Sequence, residues 1–362
     1  MSSTAKQGEV PVPNVVLQSS FTMPVTGLGT GSETNDDLTV KAAAVEAIKL
    51  GYRHFDTASF YGSEQGLGEA IAEALKLGLI SSRNELFITS KLWLSDNHPH
   101  LVLPALQNSL QSLGLEYLDL YLIHWPISAK PKLKKFPYDA EDLVPFDLKG
   151  VWASMEECHN LGLTKSIGVS NFSCKKLENL LSFATIPPAV NQMNELGEIT
   201  PSLEMAIVKS VHQRKFNRRN VVLGFQANIL ESGVESLLAA EESKRILQSQ
   251  GYYGNCIFSF LGAKGAIWGS NDVMDNELLK HIAHAHGKTV AQVSLRWLYE
   301  QGVSFIVKSY NKKRMKQNLE IFDFSLTNDD YKKINQIKQE RKVKNCAPPG
   351  GFVIDDLWDG EN

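Results

Sequence analysis

Gly51-Tyr52-Arg53-His54-Phe55-Asp56-Thr57-Ala58-Ser59-Phe60-Tyr61-Gly62 follows an amphipathic segment and opens on the glycine that stops it. Residues 52–57 read as a short buried strand, with Asp56 at the end where the chain leaves the core. Tyr61 comes in the loop beyond. A carboxylate at a strand end and a phenol in the next loop are placed to share one cleft. Taken singly, each has an ordinary explanation: an Asp there turns or caps the chain, and a loop Tyr packs. The segments on either side decide between these readings.

Outward from this stretch the chain alternates strand and helix. Before it, residues 37–50 form a helical pattern capped by Asp36 or Asp37, with Val40, Ala44, Ala47 and Ile48 on one face. Further back, 25–30 is a strand running into a Gly-rich loop, and 15–17 and 22–24 flank a turn as a small hairpin. Gly27-x-Gly29 invites comparison with a dinucleotide fingerprint, but Ser32 takes the third glycine's place and the loop is long. After it come strands at 86–92, 118–124, 166–170, 189–192, 256–261 and 303–308. Helical patterns separate them, several ending at glycines such as Gly78 and Gly114. With the strand at 25–30 this makes eight strands, nearly all continuous apolar runs, as expected when both faces are buried. Eight parallel strands with crossover helices predict a (β/α)8 TIM barrel; an open doubly wound sheet is the alternative.

Composition agrees with one large α/β domain over 1–362. The chain is 43% hydrophobic and 21% charged, enough apolar material for a large core. A net charge of −3 and a pI near 6.3 favour neither nucleic acid nor an anionic membrane. No apolar run approaches a membrane span, and residues 1–10 lack the core of a signal peptide. Cys158, Cys174, Cys256 and Cys346 are far apart with no CxxC, so they read as reduced thiols of a cytoplasmic protein.

In such a barrel the active site lies at the C-terminal strand ends. Here those ends carry Asp56, Lys91, His124, Ser170 with Asn171, Gln192, Phe258 and Lys308. Each polar group buried there needs a partner, so the bland reading is a satisfied structural network. The residue types also fit one chemistry. Lys91 can pair with Asp56 and stand beside Tyr61, and an ammonium next to a phenol lowers its pKa from about 10 toward neutrality. Tyr61 is then a proton donor at working pH, and His124 can orient and polarise a carbonyl. No activated nucleophile and no metal-ligand spacing is present in the sequence. A site that protonates a developing alkoxide without either needs an external hydride donor, which a nicotinamide supplies. Ser170, Asn171 and Gln192 offer partners for its carboxamide, and Phe258 offers a flat ring. Five cations in the nine residues 308–316 open a helix and read as a phosphate clamp, or else as a solvated face.

These residues carry a resemblance. The stretches GYRHFDTASFYGSE (51–64), LFITSKLW (86–93), LDLYLIHWP (118–126), KSIGVSNFS (165–173), ATIPPAVNQ (184–192), GKTVAQVSLRWLYEQGVSFIVKSYNKKRMKQNL (287–319) and DLWDGE (356–361) resemble the aldo-keto reductases. The similarity is strongest to a plant group acting on alkaloid and polyketide carbonyls. It implies a catalytic tetrad of Asp56, Tyr61, Lys91 and His124. It implies NADPH held by Gly29, Thr30, Asp56, Ser170, Asn171, Gln192, Phe258, Ser259 and Leu261. Lys308, Ser309 and Arg314 would meet the 2′-phosphate, with Gln317 and Asn318 near the adenine. Trp93, Trp125, His124 and the C-terminal tail would wall the substrate pocket. A monomeric, cytosolic enzyme with a small-molecule carbonyl substrate is the further implication.

One region departs from the pattern. After Gln192 the chain reads Met193-Asn194-Glu195-Leu196 where the family has Glu-Met-Asn-Pro. Phe258-Ser259-Phe260-Leu261-Gly262 stands in place of Tyr-Ser-Pro-Leu-Gly. From Gln192 to Phe258 is 66 residues, whereas one crossover needs about 25. Residues 194–250 therefore read as an atypical segment between the sixth and seventh strands, either a true insertion or the trace of an unremoved intron or misjoined exon. Its basic run at 212–219 reads as a solvated loop rather than a nucleic-acid site. Two apolar-faced stretches, 200–211 and 233–250, compete to cover the sixth and seventh strands. A cofactor-binding protein with little turnover is the alternative function that this segment raises.

Overall fold

The computed structural model describes residues 11–31, 36–133, 138–193, 222–225, 256–259 and 272–337, the two short stretches by their strands alone. The hairpin is there: β1 (Asn14–Val16) and β2 (Thr22–Pro24) pair antiparallel, Val15 opposite Met23. β3 (Thr26–Gly29) leads to α1 (Asp37–Leu50). Asp36 caps that helix by accepting from the Thr39 amide at 2.9 Å. Gly51 ends it at φ +103°, a conformation that costs nothing only without a Cβ. The turn so made feeds β4 (His54–Asp56), then a 3₁₀ turn at Ser59–Tyr61 and α2 (Glu64–Lys76).

The remaining units are β5 (Phe87–Leu92), α3 (Pro99–Leu113), β6 (Leu120–Ile123), α4 (Leu148–Asn160), β9 (Ile167–Ser170), α5 (Cys174–Phe183) and β10 (Val190–Met193). Between β6 and α4, β7 (Ser128–Ala129) and β8 (Leu143–Val144) pair antiparallel across what the sequence offered only as a long loop. After β11 (Val222–Phe225) and β12 (Cys256–Ser259) come α6 (Asp272–Asp275), α7 (Glu277–Ala285), α8 (Val290–Glu300), β13 (Val303–Val307), α9 (Lys312–Leu319) and α10 (Asn328–Ile334).

Eight parallel strands run in the order β10-β12-β13-β3-β4-β5-β6-β9, and β9 pairs back onto β10 through Asn191 with Val169 and Gln192 with Ser170. That last pairing closes the sheet into a barrel and excludes the open alternative. β10 and β12 are neighbours, Gln192 opposite Ile257, despite the length of chain between them. The sequence did not disclose β11. It lies on β10 with Val190 opposite Val222 and Asn191 opposite Leu223. β12 pairs only with Gln192 and Met193 of that strand, so the edge of its first half is open to an added strand. The competing stretches 200–211 and 233–250, the basic run at 212–219, Leu261 and the C-terminal tail lie outside the described residues.

Among the described residues the apolar side chains gather into three clusters, the smallest around Leu94, Ala129 and Tyr138 beside the loop after β6. Phe87, Leu120, Leu122, Val190 and Ile306 fill the barrel, and Leu17 and Met23 of the hairpin close its N-terminal end. A larger layer lies between strands and helices, with Tyr52, Phe55, Trp152, Phe172, Trp297 and Phe305 almost wholly buried. Each such side chain contributes roughly 1.5–3 kcal/mol. Among the described residues no helix is long and apolar enough to cross a membrane.

Candidate active site

The inward positions of the strands become polar toward the C-terminal end of the barrel. Asp56 ends β4 and Lys91 is the penultimate residue of β5, both with side chains 0% exposed and 2.6 Å apart from Oδ1 to Nζ. Lys91 Nζ also donates to the Thr57 carbonyl at 3.0 Å, and Gln192 Nε2 donates to Asp56 Oδ2 at 3.1 Å. Burial pulls the Lys91 ammonium below its ordinary range, and the Asp56 charge opposes that pull. Two opposite charges at this depth are tolerated because each is paired and hydrogen-bonded.

Tyr61 stands over this pair. Lys91 Nζ lies 5.1 Å from its ring centroid, and its hydroxyl is 3.4 Å from His124 Nε2. Burial, helped by the Lys91 charge, holds His124 well below its usual 6.5, so the imidazole is neutral. Its Nδ1 is buried and has no hydrogen-bond partner among the described residues. An orphaned lone pair costs less than an orphaned N–H, which favours the proton on Nε2, facing Tyr61. Besides Tyr61, two indoles flank the imidazole, and a further ring packs behind one of them. Trp93 stands edge-on at 5.1 Å, Trp125 lies at 6.5 Å, and Phe60 stacks on Trp93 at 3.7 Å. Trp93 Nε1 donates to the Tyr138 hydroxyl at 2.8 Å, and Tyr138 belongs to the segment drawn in by β7 and β8. Phe60 and Tyr138 escaped the sequence reading. Phe60's adjacency to Tyr61 was a usable signal; nothing local marks Tyr138.

The expected amide group is also assembled, and much of it is engaged. Ser170 donates from Oγ to the Gln192 carbonyl. Asn171 takes φ +61° and donates from Nδ2 to the His124 carbonyl at 3.0 Å. Gly29 is paired with Asp56, and Thr30 donates from Oγ1 to the Asp56 carbonyl at 3.2 Å. Phe258 and Ser259 are at the end of β12, opposite Phe305 and Ile306. Beyond β13, Lys308 Nζ is buried with no hydrogen-bond partner among the described residues, 3.2 Å from the Tyr310 ring centroid. Burial pushes it down to about 7. Ser309 is buried, Arg314 is exposed with Nε donating to Ser309 Oγ at 3.2 Å, and Gln317 is half-buried. Asn318 is 5% exposed and turned in toward the Tyr52 hydroxyl. A desolvated cation, an arginine and the N-terminus of α9 thus converge at one strand end.

A sequence profile described as the Aldo/keto reductase family matches residues 25–196 and 206–339. The NAD(P)H-dependent 6′-deoxychalcone synthase of Glycine max is 49% identical, over 97% of this chain and 98% of that protein. The NADPH-dependent codeinone reductase 1-2 of Papaver somniferum is also 49% identical, over 96% and 98%. Among solved structures, the Bombyx mori aldo-keto reductase in complex with NADP superposes with a TM-score of 0.69 at 33% identity, covering 98% of this chain and all of that one. The closed barrel, the polar mouth and these likenesses agree, and the chain belongs to the aldo/keto reductase family of oxidoreductases.

Proposed function

We propose that the protein reduces a ketone or aldehyde to an alcohol with NADPH, and that Asp56, Tyr61, Lys91 and His124 carry the proton chemistry. The supporting observation is the buried Asp56–Lys91 pair at 2.6 Å beneath a tyrosine whose hydroxyl faces a neutral histidine. Tyr61 gives its hydroxyl proton to the carbonyl oxygen as that oxygen becomes an alkoxide, and is left as a phenolate. Lys91 stabilises the phenolate by its charge, and Asp56 keeps the ammonium charged and aimed. His124 donates from Nε2 to the same oxygen, fixing its place and favouring negative charge on it. Solvent then reprotonates Tyr61.

The residues fit the cofactor. Lys308 Nζ is a desolvated cation without a hydrogen-bonding anion among the described residues, next to an arginine and a helix N-terminus. Lys308, Ser309, Arg314 and Gln317 would hold the 2′-phosphate and adenine. Ser170, Asn171, Gln192 and Phe258 would hold the nicotinamide. When bound, NADPH supplies the hydride. Trp93, Trp125 and Phe60 form apolar walls around the reacting oxygen, suited to a bulky, flat substrate. The named activities of the soybean and poppy relatives support a carbonyl of plant secondary metabolism, of polyketide or alkaloid type. We read the enzyme as a cytoplasmic monomer.

The test is loss of NADPH absorbance with purified protein against a panel of ketones and aldehydes that includes chalcone-type polyketides and morphinan-type alkaloids. Turnover of at least one member, absent in Tyr61→Phe, is expected. Tight NADPH binding with no oxidation across the panel would favour a binding protein instead.

A further inference from the structure

Ser63 occupies the N-cap of α2 but makes no capping hydrogen bond. The duty has passed to another helix: Asp37 Oδ1, from α1, accepts from the Gly66 amide at 3.0 Å. That reach depends on residue 66 having no side chain, since a Cβ there would stand 2.6 Å from the Asp37 carbonyl. The serine hydroxyl, 0% exposed, is thereby released. It lies 2.8 Å from Thr30 Oγ1 and 3.0 Å from Thr57 Oγ1, both buried. Each hydroxyl has one proton, and that of Thr30 goes to the Asp56 carbonyl at 3.2 Å. The direction of the chain follows: Thr57 donates to Ser63, Ser63 to Thr30, and Thr30 to Asp56. Three hydroxyls so arranged tie the end of β3, the end of β4 and the start of α2 to one point.

Tyr61 sits on the short arch between Thr57 and Ser63. Its amide bonds to the Ala58 carbonyl at 3.0 Å, and Ser59 Oγ bonds to the Lys91 carbonyl at 3.1 Å. Gly62, at φ +63°, turns the chain from the phenol into Ser63. One foot of the arch is therefore held on β5 and the other by the hydroxyl chain. We propose that Ser63 is a positioning residue: its hydroxyl holds the arch so that the Tyr61 phenol keeps its place against Lys91 and His124. This rests on the reading of Tyr61 as proton donor. Capping alone would not require the serine, because Asp37 already serves the first turn of α2. A misplacement of about 1 Å at a reacting group costs up to about a hundredfold in rate, so a tether here acts on kcat.

The full-length protein is assayed with NADPH and a carbonyl it reduces, as Ser63→Ala, Thr57→Val and Tyr61→Phe. Ser63→Ala is expected to lower kcat about ten- to hundredfold, with the KM and the NADPH affinity by fluorescence within about twofold of the parent. The basic limb of its pH profile should move to higher pH, because a phenol farther from the Lys91 ammonium gives up its proton less readily. Thr57→Val keeps the side-chain volume, removes the hydroxyl that donates to Ser63, and should move kcat and the limb in the same sense. It also carries the test if Ser63→Ala does not fold. Parent-like kcat and pH profile in Thr57→Val and in any folded Ser63→Ala overturn the proposal. So does a loss in kcat that comes with weakened NADPH binding and an unmoved limb, the mark of general loosening. Retained kcat in Tyr61→Phe would instead overturn the reading of the active site itself.

Discussion

At position 61 a single oxygen atom separates chemistry from binding. Tyr61→Phe keeps the ring above Lys91 and removes only the hydroxyl. We expect kcat to fall by about 10²–10⁴ with NADPH affinity nearly unchanged; a variant retaining most of its kcat would remove Tyr61 from the reaction. Lys91→Met should do similar damage and add a second effect. It leaves the Asp56 carboxylate buried without its cation, a fault that costs about 3–5 kcal/mol, so its denaturation midpoint should fall where that of Tyr61→Phe does not. His54, one turn of the pleat below Asp56, is a different kind of buried group. It lies 3.3 Å from the Pro24 carbonyl and 3.2 Å from Thr89 Oγ1, and burial pushes it from 6.5 down to about 4. Above about pH 6.5 it is neutral in both folded and unfolded chains. As the pH falls, the unfolded chain takes up a proton that the folded chain refuses, and stability is lost until about pH 4. The whole effect is about 3 kcal/mol. Denaturant titrations across that window should lose their slope in part in His54→Gln, whatever that variant's stability at pH 7.

At the scale of an element, the start of α9 is where we propose that the cofactor's phosphate is held. Asn311 caps it, accepting from the Arg314 amide at 3.1 Å, which leaves the arginine side chain on the exposed first turn. Arg314 bonds from the helix to Ser309 Oγ, the neighbour of Lys308 at the end of β13. An arginine there can grip a phosphate with two parallel bonds. Arg314→Met should cost about 1.5–3 kcal/mol of NADPH binding, tenfold or more in affinity, and leave NADH almost untouched. Equal losses for both cofactors in a fluorescence titration would show that the 2′-phosphate is held elsewhere.

At the scale of the whole molecule, the two ends of the barrel divide the work. The C-terminal end carries the Asp56–Lys91 pair, Tyr61 and His124, the groups to which we assign the reaction. The N-terminal end is closed by the hairpin and braced by Asp119, which accepts from Arg83 at 2.8 Å, Lys165 at 3.0 Å and the Ile88 amide at 2.9 Å. Asp119→Ala orphans a buried amide and leaves two cations facing each other. We expect a loss of about 3 kcal/mol, the low end for a broken buried pair, because the Lys165 side chain is 31% exposed. Thermal unfolding should shift down while kcat and KM of the folded fraction stay as in the parent. A change in kcat would mean that the two ends are coupled through the strands.

The linear order of residues was enough for the barrel because its signals are local. Gly51 and Gly114 end helices at positive φ and return the chain to the sheet, and a short apolar run between such stops, as at 120–123, reads as a strand buried on both faces. Asp56, Lys91 and His124 were legible as strand-end residues for the same reason: once the strands are counted, their ends are known. Tertiary structure decided whatever depends on two distant stretches meeting. The edge that β11 finds on β10 exists because β12 pairs with only half of that strand. The Trp93–Tyr138 bond joins a strand end to a loop whose two-residue strands are too short to leave a pattern. Ser63 reads in the sequence as an ordinary helix cap. Its release toward Thr30 and Thr57 follows only from α1 lying close enough, over the bare backbone of Gly66, for Asp37 to cap α2 in its place. Hydrogen bonds go to whichever partner packing brings nearest, and packing is a property of the folded chain.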